Sequence, residues 1–148
     1  MLSQKTQYAL RAVYDLARHY GGGPVKISEI ARRQAIPQRF LEIILHQLKP
    51  VFVDSKRGQD GGYFLVRDPS ELTVGEVLRF VQGPVGPVEC TVSASGGENC
   101  PLREECVFLS LWQEVQEATD KIYDHTTFQQ LVEREEAMRK TYVPAYAI

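Results

Sequence analysis

Apolar positions in the first twenty residues recur at helical spacing. Tyr8, Ala9, Ala12, Val13, Leu16, Ala17 and Tyr20 fall on one face, Ser3 is placed to cap the run, and Gly21-Gly22-Gly23-Pro24 ends it. Val25-Lys26-Ile27 is long enough only for an edge strand. Ser28 is placed to cap a short helix over 29–34, with Ile30 and Ala31 inward. Pro37 suits the first turn of the next helix, where its missing N–H would have no partner. That helix runs to about Lys49 on a stripe of Phe40, Leu41, Ile44, Leu45 and Leu48. Two short apolar runs, Val51-Phe52-Val53 and Tyr63-Phe64-Leu65-Val66, flank a polar, glycine-bearing loop over 54–62 and predict a β-hairpin. Thr73 and Glu76 have the spacing of a capping box, which starts a helix over 74–82 that Gly83 and Pro84 stop. A loop over 88–101 follows, with Ser93, Ser95, Gly96 and Gly97. A long helix is predicted over 102–124, and Leu111, Val115, Ala118 and Ile122 form a seam along it for another helix. Thr126 or Thr127 caps a last helix to about Lys140, and the tail over 141–148 is expected to be poorly ordered unless it docks.

This order predicts a mainly α chain with a small β-hairpin wing. The expected organisation is a winged helix-turn-helix domain over 1–83, a cysteine-bearing loop over 84–101, a dimerisation helix and C-terminal helix over 102–140, and a tail. The size, 148 residues, and the balance of 43% hydrophobic to 24% charged residues suit one folded domain with an arm. No apolar run approaches a bilayer span. The first residues lack the apolar core of a signal peptide. With three cysteines and no secretion signal, the expectation is a cytoplasmic protein with working thiols.

Charge changes the picture. The net charge of −2 is split: residues 1–67 hold eleven of the 17 Lys and Arg against five of the 19 Asp and Glu. A basic half points to a polyanion partner. The second helix of a helix-turn-helix pair lies in the DNA major groove and presents polar side chains from its N-terminal end. Here that end offers Gln38 and Arg39 to base edges or phosphates, Phe40 to a thymine methyl and Glu42 to cytosine N4. The wing tip carries Lys56, Arg57 and Gly58, and Arg57 suits a narrow minor groove. One local feature runs against the pattern. The turn between the two helices holds Ala35 where glycine is common, although such a turn does not require a left-handed residue.

Cys90, Cys100 and Cys106 are separated by nine and then five residues. Three thiolates can hold an iron–sulfur cluster, and the spacing lacks the close cysteine pairs of structural zinc sites. Unligated thiols, or a disulfide switch centred on Cys106 near the start of the long helix, are the alternatives. No nucleophile–base pair, carboxylate pair or phosphate-binding loop points to an enzyme.

Several motifs occur together: Tyr8-Ala9-Leu10-Arg11-Ala12, the stretch from Ile27 to Ile36, Phe40-Leu41-Glu42, Arg57-Gly58, Gly61-Gly62-Tyr63, Leu72-Thr73-Val74-Gly75-Glu76-Val77, the three cysteines and Leu111-Trp112. Over roughly residues 1–133 the chain resembles the IscR/NsrR/CymR-type transcription regulators, the Rrf-two family. The resemblance implies a homodimer, a repressor or activator, that binds a double-stranded DNA operator. It implies that Phe40, Glu42 and Arg57 contact DNA, and that Arg39 falls at a polar contact position. It places the dimer contact on Leu111, Val115, Ala118 and Ile122. In cluster-binding members, cysteines at the places of Cys90, Cys100 and Cys106 hold a two-iron or four-iron cluster that senses redox state or nitric oxide. The chain departs from the pattern in three ways. The gap between Cys90 and Cys100 is long. A family histidine ligand is replaced by Leu109, and an acidic ligand from the first helix by Gln7, which leaves Glu98, Glu104, Glu105 or an exogenous group as the fourth ligand. The segment over 49–52 is about one residue short. His19, His46 and His125 are expected on helix faces or the surface. A cluster-free regulator of the same fold, responding to thiol oxidation or a protein partner, is the alternative.

Overall fold

The computed structural model describes residues 1–93, 97–98 and 100–141. Seven helices and one hairpin follow in the order α1 (Gln4–Arg18), α2 (Ile27–Gln34), α3 (Gln38–Leu48), β1 (Val53–Lys56), β2 (Gly62–Leu65), α4 (Val74–Gln82), α5 (Glu89–Val92), α6 (Leu109–His125) and α7 (Phe128–Thr141). Their starts are set by local chemistry. Ser3 Oγ accepts from Thr6 N at 3.1 Å and caps α1. Thr73 Oγ1 accepts from Glu76 N while Glu76 Oε2 accepts from Thr73 N, the reciprocal box expected at α4. Of the two threonines expected to cap α7, Thr127 does so, in a second reciprocal box with Gln130.

α1 is the hub. It packs against α2, α3, α4 and α7, and its inward face (Ala9, Ala12, Val13, Leu16) is fully buried with Ile30, Leu41, Leu45, Leu48, Leu72, Val77 and Phe128. Fully burying one such side chain stabilises by about 1.5–3 kcal/mol, so the core, not helix propensity, holds these short helices. The hairpin is antiparallel, with Val53 opposite Leu65 and Lys56 opposite Gly62. Val25 adds an isolated bridge to Tyr63, with both backbone bonds at 2.8 Å. Gly62 permits it: at φ 152° its missing Cβ would lie 2.4 Å from Val25 O.

Several expectations are corrected. α2 begins at Ile27, after Lys26, so Ser28 lies inside the helix and does not cap it. α1 ends at Arg18 rather than at Tyr20. Strand β1 starts at Val53 and carries Asp54 to Lys56, because Phe52 and Val53 turn into the core and pairing begins there. Phe40 is exposed, not part of the inward stripe. Ala35 does adopt the left-handed conformation, with φ 51° and ψ 49°. The long helix starts at Leu109, not Leu102, and the expected cysteine loop contains the single-turn α5. Residues 94–96, 99 and 142–148, including Ser95, Gly96 and most of the tail, lie outside the described residues.

Candidate nucleic-acid interface and cysteine pocket

Helix α3 buries Leu41, Ile44, Leu45 and Leu48. The opposite arc is therefore exposed: Arg39, Glu42, Ile43 and His46 stand at i, i+3, i+4 and i+7, with Gln38 and Phe40 beside them. Of these, Ile43 has no place in the sequence-based site, although the helical spacing of the buried residues already puts it on this arc. The wing tip over 57–61 turns through Gly58 at φ 108°. Lys56 and Arg57 are exposed there.

The surplus of basic residues divides in two. Arg11, Arg18, Arg33, Lys49 and Arg67 are held by the fold. Arg11 Nη2 donates to Gln34 O at 2.7 Å and to Ala35 O at 3.3 Å, and its guanidinium lies 5.0 Å from the centre of the Tyr8 ring. Arg18 pairs with Glu135 at 3.2 Å, Lys49 with Asp54 at 3.6 Å and Arg67 with Glu76 at 3.2 Å. Lys5, Lys26, Arg32, Arg39, Lys56 and Arg57 are exposed and make no ion pair among the described residues. Within residues 1–67, these six are the charges available to a polyanion.

Arg33 anchors the helix pair. Its Nε and Nη2 donate to the two oxygens of Asp15 at 3.0 and 2.9 Å, and Gln34 Nε2 donates to Asp15 Oδ2 at 3.0 Å. Asp15 has no exposed surface. Burial pushes its carboxyl up, but the Arg33 and Gln34 hydrogen bonds and the Arg33 and His19 charges outweigh burial and hold it below 3.8. This network ties the end of α2 to α1 and so fixes where α3 projects. The sequence signal for it is an acid within the inward arc of α1.

The three cysteines are brought together. Cys90 on α5, Cys100 and Cys106 line one cavity of about 330 Å³ with Ser93, Gly97, Arg103, Leu109 and Gln113. Turns of the tighter i→i+3 kind shape the segment: Cys100 N donates to Gly97 O, Arg103 N to Cys100 O and Leu109 N to Cys106 O. Gly97, at φ 83°, passes so close that a Cβ there would lie 2.9 Å from Cys90 Cβ. Among the described residues, no three His, Cys, Asp or Glu side chains converge on a single ion. Glu98, Glu104 and Glu105 are exposed and do not line the cavity, whereas Gln113 and Arg103, absent from the sequence-based site, do. Gln113 is one turn beyond Leu109 on the same face of α6. Gln7, at the other candidate ligand position, donates to Leu2 O, and His19, His46 and His125 lie away from the cavity.

Helix α6 has no buried residue. Leu111, Val115, Ala118 and Ile122 are all exposed along it. It is held to the rest of the chain by Tyr123, which packs on the core, and by Arg79 of α4, which donates to Asp120 and Asp124 at 3.1 Å each. The Arg79 hydrogen bond keeps the Asp124 carboxyl below its ordinary range.

The family model for Rrf2, described as an iron-dependent transcriptional regulator, matches residues 2–134. The chain belongs to the Rrf2 family. It is 35% identical over 138 residues to the HTH-type transcriptional regulator IscR of Sodalis glossinidius, covering 93% of this chain and 81% of that one. The IscR of Serratia proteamaculans is 33% identical over the same length, covering 82% of that protein. Among solved structures, T. potens IscR superposes with a TM-score of 0.74 at 28% identity, covering 99% of this chain and 94% of that one. CymR, the global cysteine regulator of B. subtilis, gives 0.73 at 30% identity, covering 90% and 97%. The fold is thus the winged helix of Rrf2 regulators, with β1–β2 as the wing. The chain is a transcriptional regulator and not an enzyme, since the Rrf2 family is non-enzymatic. No described helix is long and apolar enough to cross a membrane.

Proposed function

We propose that this Rrf2 regulator is a homodimer that reads a double-stranded DNA operator and is gated by an iron–sulfur cluster on Cys90, Cys100 and Cys106. The observation that carries the proposal is the convergence of all three thiols on one cavity lined also by Arg103. The spacing of the three cysteines lacks the close pairs of structural zinc sites. A cluster spreads its thiolates over several irons and so fits a wider cavity. Arg103 offsets the negative charge of three thiolates. When bound, such a cluster supplies a centre that exchanges electrons and reacts with nitric oxide.

On the DNA side, Gln38, Arg39, Phe40 and Glu42 of α3 face the major groove, and Lys56, Arg57 and Gly58 carry the wing to the backbone or minor groove. Leu111, Val115, Ala118 and Ile122 meet the same face of a second α6, which buries an apolar stripe otherwise left in water. Half-site spacing is then set by the angle between the two long helices.

The test is protein purified without oxygen. Iron and acid-labile sulfide in stoichiometric amounts, with a visible chromophore lost in Cys100→Ala, are expected. A colourless, iron-free dimer that binds DNA would overturn the cluster and move sensing to thiol oxidation or a protein partner. Specific DNA affinity whose logarithm falls with log salt at about −0.9 per neutralised phosphate checks the interface.

A further inference from the structure

The DNA-facing arc of α3 carries two large apolar side chains that the core does not use. Ile43 is 62% exposed and Phe40 57% exposed. They sit three residues apart on neighbouring turns, so they form one patch and not two scattered contacts. Ile43 is the ridge between two cavities. On one side it shares about 330 Å³ with Lys5, Tyr8 and Phe40. On the other it lines a shallow surface with Glu42, His46 and Tyr63. Two cations and one acid flank the patch: Lys5 lines its first cavity, Arg39 lies on the same arc of α3, and Glu42 lines the second cavity. The exposed Lys5 and Arg39 make no ion pair among the described residues, so they favour a polyanion over an apolar protein partner. In the major groove, the base-edge group that suits an apolar side chain is the C5-methyl of thymine.

We infer that Ile43, backed by Phe40, is a specificity-determining residue that selects a thymine through its 5-methyl group. This rests on the DNA-binding reading and deepens it. Glu42 accepts a hydrogen bond from one base edge, and Ile43, next on the helix, excludes water from the methyl of a thymine in the same half-site. Replacing that thymine by uracil removes one methyl and nothing else.

The experiment uses the full chain and two randomised duplex pools, one made with thymine and one with uracil throughout. Wild-type protein is expected to select a motif from the thymine pool in which one thymine loses its preference in the uracil pool. In a duplex of the selected sequence, a single thymine-to-uracil change there weakens binding roughly 3- to 5-fold by fluorescence anisotropy, the worth of about one buried methyl. Ile43→Ala, at an exposed site that does not disturb the core, binds the two duplexes equally. Ile43→Gln is expected to shift the preference toward adenine, which glutamine recognises at N6 and N7. Identical wild-type motifs from both pools overturn the inference, as does an Ile43→Ala protein that still discriminates the methyl. If neither pool yields a motif, the DNA-binding reading fails first, and the inference with it.

Discussion

Asp15 is a carboxylate with no exposed surface. It is tolerated because four groups answer it: two nitrogens of Arg33, the Gln34 amide and, at 3.6 Å, His19 Nδ1. Removing one member of a buried pair leaves the other charge without its partner, which costs about 3–5 kcal/mol. Arg33 keeps some exposure, so the lower end applies. Asp15→Asn is therefore expected to lower the urea midpoint by the equivalent of about 3 kcal/mol. The carboxyl is held below its unfolded value near 3.8. Its contribution is thus complete above that pH and is lost as pH falls through the lowered folded value. Wild-type stability should drop more steeply below pH 4 than that of Asp15→Asn, as urea melts across pH 3 to 6 will check. Ala35 presents the opposite case. A left-handed alanine costs about 1–2 kcal/mol, and Arg11 offsets part of it by donating to the Gln34 and Ala35 carbonyls. Ala35→Gly relieves the strain and loses part of the gain to unfolded-chain entropy. The net expectation is a gain of about 0.5–1 kcal/mol, a rise in Tm of about 2 °C, visible in a thermal melt.

Elements whose ends are chosen by neighbouring residues were legible in the chain. Ser3 at α1, the Thr73–Glu76 box at α4 and the break at Gly83 all act within a few residues, and each stands where the pattern puts it. Elements whose ends depend on distant contacts were not. Residues 102–108 read as the start of the long helix, whose apolar seam begins at Leu111. In the fold that segment closes i→i+3 turns, which let Cys100 and Cys106 fold back towards Cys90 on α5. The three cysteines were legible as a set. Arg103 and Gln113 were not, because only the folded turns place them in the cavity with the thiols. Gly97 is part of this local construction, with its left-handed φ and its close approach to Cys90. Gly97→Ala adds backbone strain of about 1–2 kcal/mol and forces the segment off Cys90 while every thiol remains. It is expected to lower the bound iron per chain below wild type under identical anaerobic reconstitution, with little change in the thermal melt of the winged domain. Wild-type iron in this variant would mean that the segment adapts freely to the proposed cluster.

At the scale of the whole molecule, polar contacts run from α5, which carries Cys90, through α6 and α4 to the start of α1, the helix against which α3 packs. Gln116 of α6 donates to Val85 O at 2.7 Å and to Asp120 Oδ2 at 3.0 Å, and accepts from Thr91 of α5 at 3.3 Å. A Cβ on Gly86 would strike Gln116 Oε1, so the chain after α4 is held against this side chain. Asp120 in turn accepts from Arg79 of α4. At the end of α4, Gln82 Oε1 accepts from Ser3 N at 2.9 Å and Thr6 Oγ1 at 2.8 Å, at the start of α1. Since α6 has no fully buried residue and only Tyr123 of it packs on the core, these bonds and the α4 ion pairs help set its angle to the winged domain. A change in the cysteine segment that reaches α3 must alter that angle. Coupling between two sites is commonly worth about 1–3 kcal/mol, or roughly 5- to 150-fold in affinity. Gln116→Ala removes the joint and leaves every cysteine, every exposed base-facing residue and the buried core intact. The expected result is near-normal iron content and Tm, with the ratio of operator affinities between iron-loaded and iron-stripped protein collapsing toward one. Anisotropy titrations of both forms measure that ratio directly. A Gln116→Ala protein that keeps the wild-type ratio would rule out this route and leave the proposed α6–α6 contact to carry the coupling.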